Sequence, residues 1–299
     1  MDVENTIYEV PLMFAKRNLA ELVLRKMELE QQPLDLQTWT KFVNRIRHPK
    51  YELKVGLVGK YTKYRDSYKS IIESFIHAGS INNCDVKVEL RNSEEINNDT
   101  VEEMLGDLDA ILVGPGFGSR GIEGKIAAIR YVRENNIPFF GICLGMQCAV
   151  IEFARNVCNL KDANSGEFAK TEHNVIDLMA DQKKVKDKGG TMRLGAYPCT
   201  IKQSTLAHKA YKKSDISERH RHRYELNNDF RDILADNGLV MSGTSPDGHL
   251  VEIVELQDHP WFLGVQFHPE LKSRAVTGQP LFISFIKKAL KIKRDKEKK

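Results

Sequence analysis

The run Pro138-Phe139-Phe140-Gly141-Ile142-Cys143-Leu144-Gly145-Met146-Gln147-Cys148-Ala149-Val150 constrains the fold of this chain more than any other stretch. A short apolar strand runs into Gly141-x-Cys143-x-Gly145 and then turns helical. Glycines on both sides of the cysteine permit a strained strand-to-helix turn that pushes the middle side chain into the open. Such a position favours a reactive thiolate, because a helix N-terminus stabilises negative charge by about 0.3–1 kcal/mol or more. The amide of Leu144 would face an incoming carbonyl oxygen as half of an oxyanion hole. A lone Cys143 reads equally as a core cysteine packed behind a buried strand, so a partner elsewhere in the chain has to decide.

The elbow closes a series of alternating elements. Strands are predicted over Val55–Gly59, Val86–Leu90, Ala110–Val113 and Pro138–Ile142, and helices over Ser67–His77, Thr100–Leu105 and Ile122–Glu134. This alternation predicts an α/β class: a doubly wound, mainly parallel sheet flanked by helices, with ligands at the carboxyl ends of its strands. Two glycine loops fall at those ends. Gly56-x-x-Gly59 lacks the spacing of a dinucleotide fingerprint. Gly114-Pro115-Gly116-Phe117-Gly118-Ser119-Arg120-Gly121 lets the backbone approach a ligand, and its amides could complete the oxyanion hole. Beyond residue 158, shorter strands at 175–179, 189–195, 239–243, 250–255 and 261–267, with helices at 230–235 and 280–292, predict a smaller antiparallel extension. Residues 1–51 read as a helical arm, with an extended start, one helix running to about Glu30 and a second ending before His48-Pro49. Residues 293–299 read as a basic, disordered tail.

With 299 residues, 41% of them hydrophobic and 29% charged, the chain can bury a proper core. Its formal net charge is +4, and the last nine residues alone carry six basic and two acidic side chains. The body is therefore near neutral and offers no argument for nucleic-acid binding. Five cysteines without a C-x-x-C pair suggest neither a disulfide framework nor a zinc site, and fit a reducing, cytoplasmic setting. The start lacks the regions of a signal peptide and no apolar stretch approaches about 18 residues, so no membrane role is expected.

The partner for Cys143 comes late in the chain. The strand Trp261–Phe267 ends in His268-Pro269-Glu270. Residues two apart in an extended chain face the same way, so Glu270 can fix the ring of His268 and stabilise its imidazolium form. His-Pro-Glu alone is a common turn; after an elbow cysteine it completes nucleophile, base and orienter.

GICLGMQ and QFHPE are similar to the signatures of class I glutamine amidotransferases. KVGLVGKY, GFGSRGIEGKI, GTMRLG, ERHRHRYE and LVEIVE, in this order, resemble the glutaminase domain of the CTP synthase family over about residues 52–290. The opening DVENTIYEVP resembles the segment where such enzymes leave their synthetase domain. The resemblance thus implies an interdomain linker at 1–51 and an amidotransferase domain at 52–292.

It also implies site residues: Cys143, His268 and Glu270 as the triad, Gly116 and Leu144 as oxyanion donors, and Gly116, Phe117, Gln147, Glu167 and Arg223 around L-glutamine. A zwitterionic amino acid needs an acid for its ammonium and an arginine fork for its carboxylate, which suits Glu167 and Arg223. Arg120 and a lid at Gly189–Gly195, bearing Thr191 and Arg193, are implied to meet GTP as an effector. No cofactor or metal is implied for this domain; ATP, Mg and UTP belong to the synthetase domain. A homo-oligomer is implied for the full-length protein and a monomer for the domain alone.

Without the resemblance, Arg219–Arg223 reads as a solvated basic strand or a metal-binding tract, and 189–195 as a β-turn. A γ-glutamyl peptidase of the same fold and a catalytically silent regulatory module are the rival readings. Two residues depart from the family pattern. Pro115 stands where a glycine amide is expected and has no N–H to give, and Gly166 stands where threonine usually precedes Glu167.

Overall fold

The computed structural model describes residues 3, 5–178 and 192–298. The arm comprises α1 (Val10–Lys16), α2 (Leu19–Lys26) and α3 (Gln37–Arg47). The single long helix expected up to Glu30 is broken where Asn18 adopts φ 51°, a left-handed conformation that asparagine tolerates.

Alternation then begins: β1 (Tyr51–Gly59), α4 (Lys69–Asn82), β2 (Cys84–Asn92), α5 (Val101–Leu105), β3 (Ala110–Val113), α6 (Ile122–Glu134), β4 (Phe139–Ile142) and α7 (Leu144–Asn156). The later part holds β5 (Asn164–Ser165), β6 (Asn174–Leu178), β7 (Arg193–Ile201), α8 (Leu206–Tyr211), β8 (Asp215–His222), β9 (Tyr224–Leu226) and α9 (Arg231–Asp236). It ends with β10 (Leu239–Thr244), β11 (Val251–Leu256), β12 (Phe262–Val265) and α10 (Pro280–Glu297).

One nine-stranded sheet runs in the order β2-β1-β3-β4-β12-β11-β10-β7-β8, and β5, β6 and β9 form a small second sheet. The strands from β2 to β12 are parallel, and those from β12 to β8 antiparallel. Most of the antiparallel strands expected after residue 158 therefore continue the main sheet. The decisive pairing is β4 with β12, in register from Phe139↔Phe262 to Ile142↔Val265. It brings the carboxyl ends that lead to Cys143 and His268 side by side.

Helices cover both faces. On one, Phe75, Phe282 and Phe285 from α4 and α10 pack with Phe140 and Trp261; on the other, α6 and α7 lay Ile129, Val132 and Val150 over Phe139 and Phe262. Each such side chain, fully buried, contributes about 1.5–3 kcal/mol.

The tail expected at 293–299 is not disordered over its described part: α10 continues through Glu297. Lys293 Nζ pairs with Asp109 at 3.0 Å and the Arg294 guanidinium lies 4.8 Å from the Tyr51 ring centre, so the basic residues of this turn have partners on the domain. Among the described residues no helix is long and apolar enough to cross a membrane.

Candidate active site

Cys143 has φ 53° and ψ −105°, a conformation that a side-chain-bearing residue adopts only when its surroundings impose it. The flanking glycines make it possible. A Cβ on Gly141 would lie 2.8 Å from the Gly145 backbone, and one on Gly145 only 2.1 Å from the Val113 carbonyl oxygen. The Cys143 amide ties the turn to the neighbouring strand by donating to Val265 O at 2.7 Å. No side chain caps α7, so its first amides, Leu144 among them, present their positive end beside the thiol.

The neighbouring strand supplies His268, the expected base. Nδ1–H of His268 donates to Glu270 Oε1 at 2.8 Å across a 3-10 turn, Pro269–Lys272. Burial opposes charge on the ring, but interaction with the Cys143 thiol and the hydrogen bond to Glu270 outweigh it and raise the His268 pKa to about 10. Nε2 is buried without another hydrogen-bond partner of good geometry among the described residues, which leaves it for the sulfur and for a substrate proton. Burial pushes the thiols of Cys84 and Cys148 up to about 12 and Cys158 up to about 11, so these three make poor nucleophiles.

The turn bearing His268 and Glu270 runs along β8. His268 N donates to Arg219 O at 2.7 Å, Lys272 Nζ to Ser217 O at 2.5 Å, and the Cys143 thiol points at Arg221 O, 4.0 Å away. β8 itself alternates strictly, with Glu218, His220 and His222 buried and Arg219 and Arg221 exposed. The expectation of a solvated basic strand holds for one face only.

The buried face meets a charge pair. Arg193 donates to Glu252 Oε1 at 2.5 Å, His220 Nδ1 lies 3.0 Å from His222 Nε2, and His222 Nδ1 lies 3.1 Å from Tyr224 O. Burial, reinforced by the Arg193 charge, pushes His222 down to about 3, so both histidines stay neutral. Arg193, expected in a lid, has its side chain inside the sheet; residues 189–191 of that segment, Thr191 included, lie outside the described residues. Among the described residues no cluster of His, Cys, Asp and Glu could hold a metal ion.

The cleft beside Cys143 brings together Gly116, Phe117, Gln147, Glu167 and Arg223 and adds His222 and Tyr224, which sequence reasoning had not singled out. Their only signal was position, next to Arg223 on an alternating strand. A larger groove of ≈ 530 Å³ between α8 and α10 contains none of these residues.

The glycine loop is pinned from three sides. Lys125 Nζ donates to Gly114 O at 2.7 Å, Lys60 Nζ donates to Phe117 O, and Gly118 N donates to Glu167 Oε1 at 2.7 Å. Burial lowers the pKa of the fully buried Lys125 to about 8. A Cβ on Gly116 would sit 3.2 Å from Leu144 Cδ2, so the two expected oxyanion donors are neighbours. Gly114 N is already bonded to Val58 O, at 3.0 Å, and Pro115 has no N–H, which leaves the amides of Gly116 and Phe117 to serve a ligand. A Cβ on Gly166 would meet only the mobile end of a side chain, Asp177 Oδ1 at 2.9 Å, which can turn aside.

The Gln147 side-chain amide donates both to Tyr224 O at 2.8 Å and to Gln266 Oε1 at 3.1 Å, and Gln266 Nε2 lies 3.7 Å from the sulfur. Arg120 is exposed in the glycine loop, paired with Glu94 at 2.7 Å, with its guanidinium 5.7 Å from the Tyr61 ring centre.

Residues 64–288 match the family model described as glutamine amidotransferase class-I. A CTP synthase from Chlorobium phaeobacteroides is 56% identical over 286 residues, covering 94% of this chain and 51% of its own length. One from Clostridium acetobutylicum is 56% identical over 294 residues, covering 98% of this chain and 55% of its own length. The chain thus spans about half the length of the curated relatives it matches. A solved glutaminase domain of Trypanosoma brucei CTPS with bound acivicin superposes with a TM-score of 0.76 at 38% identity, covering 80% of this chain and 94% of that one. By sequence and by fold, the chain belongs to the class I glutamine amidotransferase family, on the branch formed by the glutaminase domains of CTP synthases.

Proposed function

We propose that the chain hydrolyses the side-chain amide of L-glutamine through Cys143, His268 and Glu270. The Cys143 thiolate attacks the amide carbon and forms the S–C bond. The oxyanion is held by the amides of Leu144 and Gly116, where removal of a single donor typically costs 10²–10³ in rate. His268 passes its Nε2 proton to the departing nitrogen, the C–N bond breaks and ammonia leaves. Water then attacks the glutamyl thioester, gives a proton to His268, and releases glutamate and the thiolate. Glu270 holds Nδ1–H throughout and stabilises the imidazolium. Glu167 and Arg223 take the ammonium and carboxylate of the substrate, and Gln147, with its amide donors engaged, offers only its carbonyl oxygen.

The observation that carries the reading is the side-by-side exit of Cys143 and His268 from paired parallel strands, with His268 locked on Glu270 at 2.8 Å. The ammonia would serve amination of UTP to CTP in a synthetase domain that uses ATP and Mg, in keeping with the length of the relatives. GTP would act at the glycine loop, where its phosphates compete with Glu94 for Arg120.

The test is glutamate release together with labelling by a glutamine-like chloroketone. Cys143→Ser should abolish both, whereas Cys84, Cys148, Cys158 and Cys199 should be dispensable for labelling. An adduct located on another cysteine by mass spectrometry overturns the assignment.

A further inference from the structure

Tyr8, in a 3-10 turn of the arm, is held by α3 of the arm and, through its hydroxyl, by α4 of the domain. Trp39 Nε1 donates to Tyr8 O at 2.7 Å, and the Tyr8 ring meets Phe42 edge-on with centres 5.0 Å apart. The Tyr8 hydroxyl donates to Glu73, whose carboxylate also holds Lys69 at 2.7 Å. The same hydroxyl lies 2.7 Å from Nε2 of His77, a residue of α4 that is only 6% exposed. The other ring nitrogen, Nδ1, lies 2.8 Å from Ser273 Oγ.

Proton counting gives this chain a direction. The single Tyr8 hydroxyl proton is committed to Glu73, so His77 Nε2–H must donate to the Tyr8 oxygen, and Nδ1 must accept from the Ser273 hydroxyl. Burial lowers the His77 pKa despite the nearby Glu73 charge, which keeps the ring neutral and preserves this tautomer.

Ser273 closes the turn that carries Glu270. Its amide reaches Glu270 O at 3.4 Å, and Leu271 N reaches His268 O at 3.2 Å. His77 therefore stands between the arm and the carboxylate that orients the base.

We propose that His77 is a positioning residue for the catalytic base: Tyr8 of the arm fixes its tautomer, and its Nδ1 holds Ser273 and with it the angle at which Glu270 holds His268. The inference rests on the glutaminase reading of Cys143 and His268. It assigns the arm a role in catalysis without any contact to substrate. A misplacement of about 1 Å in a catalytic group costs up to about 100-fold in rate, so a hydrogen bond remote from the chemistry can be felt in kcat.

Asparagine and glutamine at position 77 separate the two halves of the relay. The asparagine amide occupies the place of Nδ1 and can still accept from Ser273. The glutamine amide reaches the place of Nε2 and keeps only the bond to Tyr8. In the full chain, His77→Gln and Ser273→Ala should lower kcat for glutamine hydrolysis, and the labelling rate at Cys143, by about 10- to 100-fold with KM unchanged. His77→Asn should retain clearly more of both. Equal values for the Asn and Gln variants, a change in KM alone, or a loss that merely follows the melting temperature overturns the proposal. Ser273→Ala guards against a misfolded His77 variant, since it removes one hydroxyl. A wild-type chain that neither hydrolyses glutamine nor labels overturns this inference together with the function above. An active wild type with indistinguishable variants overturns this inference alone.

Discussion

On the parallel side of the nine-stranded sheet the proposed nucleophile is held by backbone. Cys143 owes its place to a positive φ, to two glycines that let α7 pack against β4 and β3, and to one main-chain bond to Val265. Across the seam at β12 the wall facing it is held by side chains: His268 by Glu270, Arg193 by Glu252, and His222 by His220 and the Tyr224 carbonyl. A backbone device fails by steric exclusion, wherever a Cβ is added. A polar device fails by losing a partner, which strands the charge left behind. The two halves of one site should therefore respond to different classes of change.

The largest effect is expected at the elbow. Gly145→Ala places a methyl 2.1 Å from the Val113 backbone oxygen, which cannot swing aside, so β3 and α7 must separate. Labelling of Cys143 should disappear and the melting temperature fall, although no catalytic side chain has been touched. A variant that labels at the wild-type rate would show that the turn is not sterically set.

Next comes the polar wall. Arg193→Met leaves Glu252 buried without its partner and should cost about 3–5 kcal/mol in urea unfolding, whereas Arg193→Met with Glu252→Leu should recover most of that loss. A double variant no better than the single one would mean that packing, rather than charge pairing, holds β7 to β11.

The smallest effect sharpens the comparison within the glycine loop, where a polar group supports a backbone device. The Lys125 pKa is depressed to about 8 by burial, from an ordinary 10.5. Below about 8 the ammonium is charged in both the folded and unfolded states, and its burial cost is felt in full. Between there and 10.5 the unfolded chain binds more protons, so this group adds stability as pH rises. His268, with its pKa raised to about 10 from 6.5, acts in the opposite sense and loses its stabilising contribution as pH rises through that range. The stability difference between the wild type and Lys125→Met cancels the His268 contribution, and should move in favour of the wild type from pH 8 upward. A flat difference would place the titration elsewhere.

What could be read from the sequence follows the same division. The elbow was legible because steric need writes itself as glycine at fixed spacing, and β3 and α6 appeared within a residue because apolar periodicity is local. His268-Pro269-Glu270 was legible because its partner lies two residues away. The β8 face was not: Glu218, His220 and His222 look solvent-bound in a string of charges, and the groups that let them be buried, Arg193 and Glu252 among them, are distant in sequence. Lys125 was hidden in the same way inside an amphipathic helix, since its acceptor, Gly114 O, belongs to another loop. The break at Asn18 and the extension of α10 to Glu297 rest on one tolerant residue and on two cations that find partners on the domain, and neither leaves a periodic trace.

Among the described residues β8 is the last strand of its sheet, and an open strand edge is a template on which another chain can add itself. The carbonyls of Ser217 and Arg219 on that edge are occupied by Lys272 and by the amide of His268, with the Cys143 thiol over Arg221. The turn proposed to carry the base is thereby also the guard of the edge, so the proposed catalysis and resistance to aggregation rest on the same residues. Damage that swings this turn outward would have two consequences, loss of the proposed hydrolysis and exposure of a strand to a neighbouring chain.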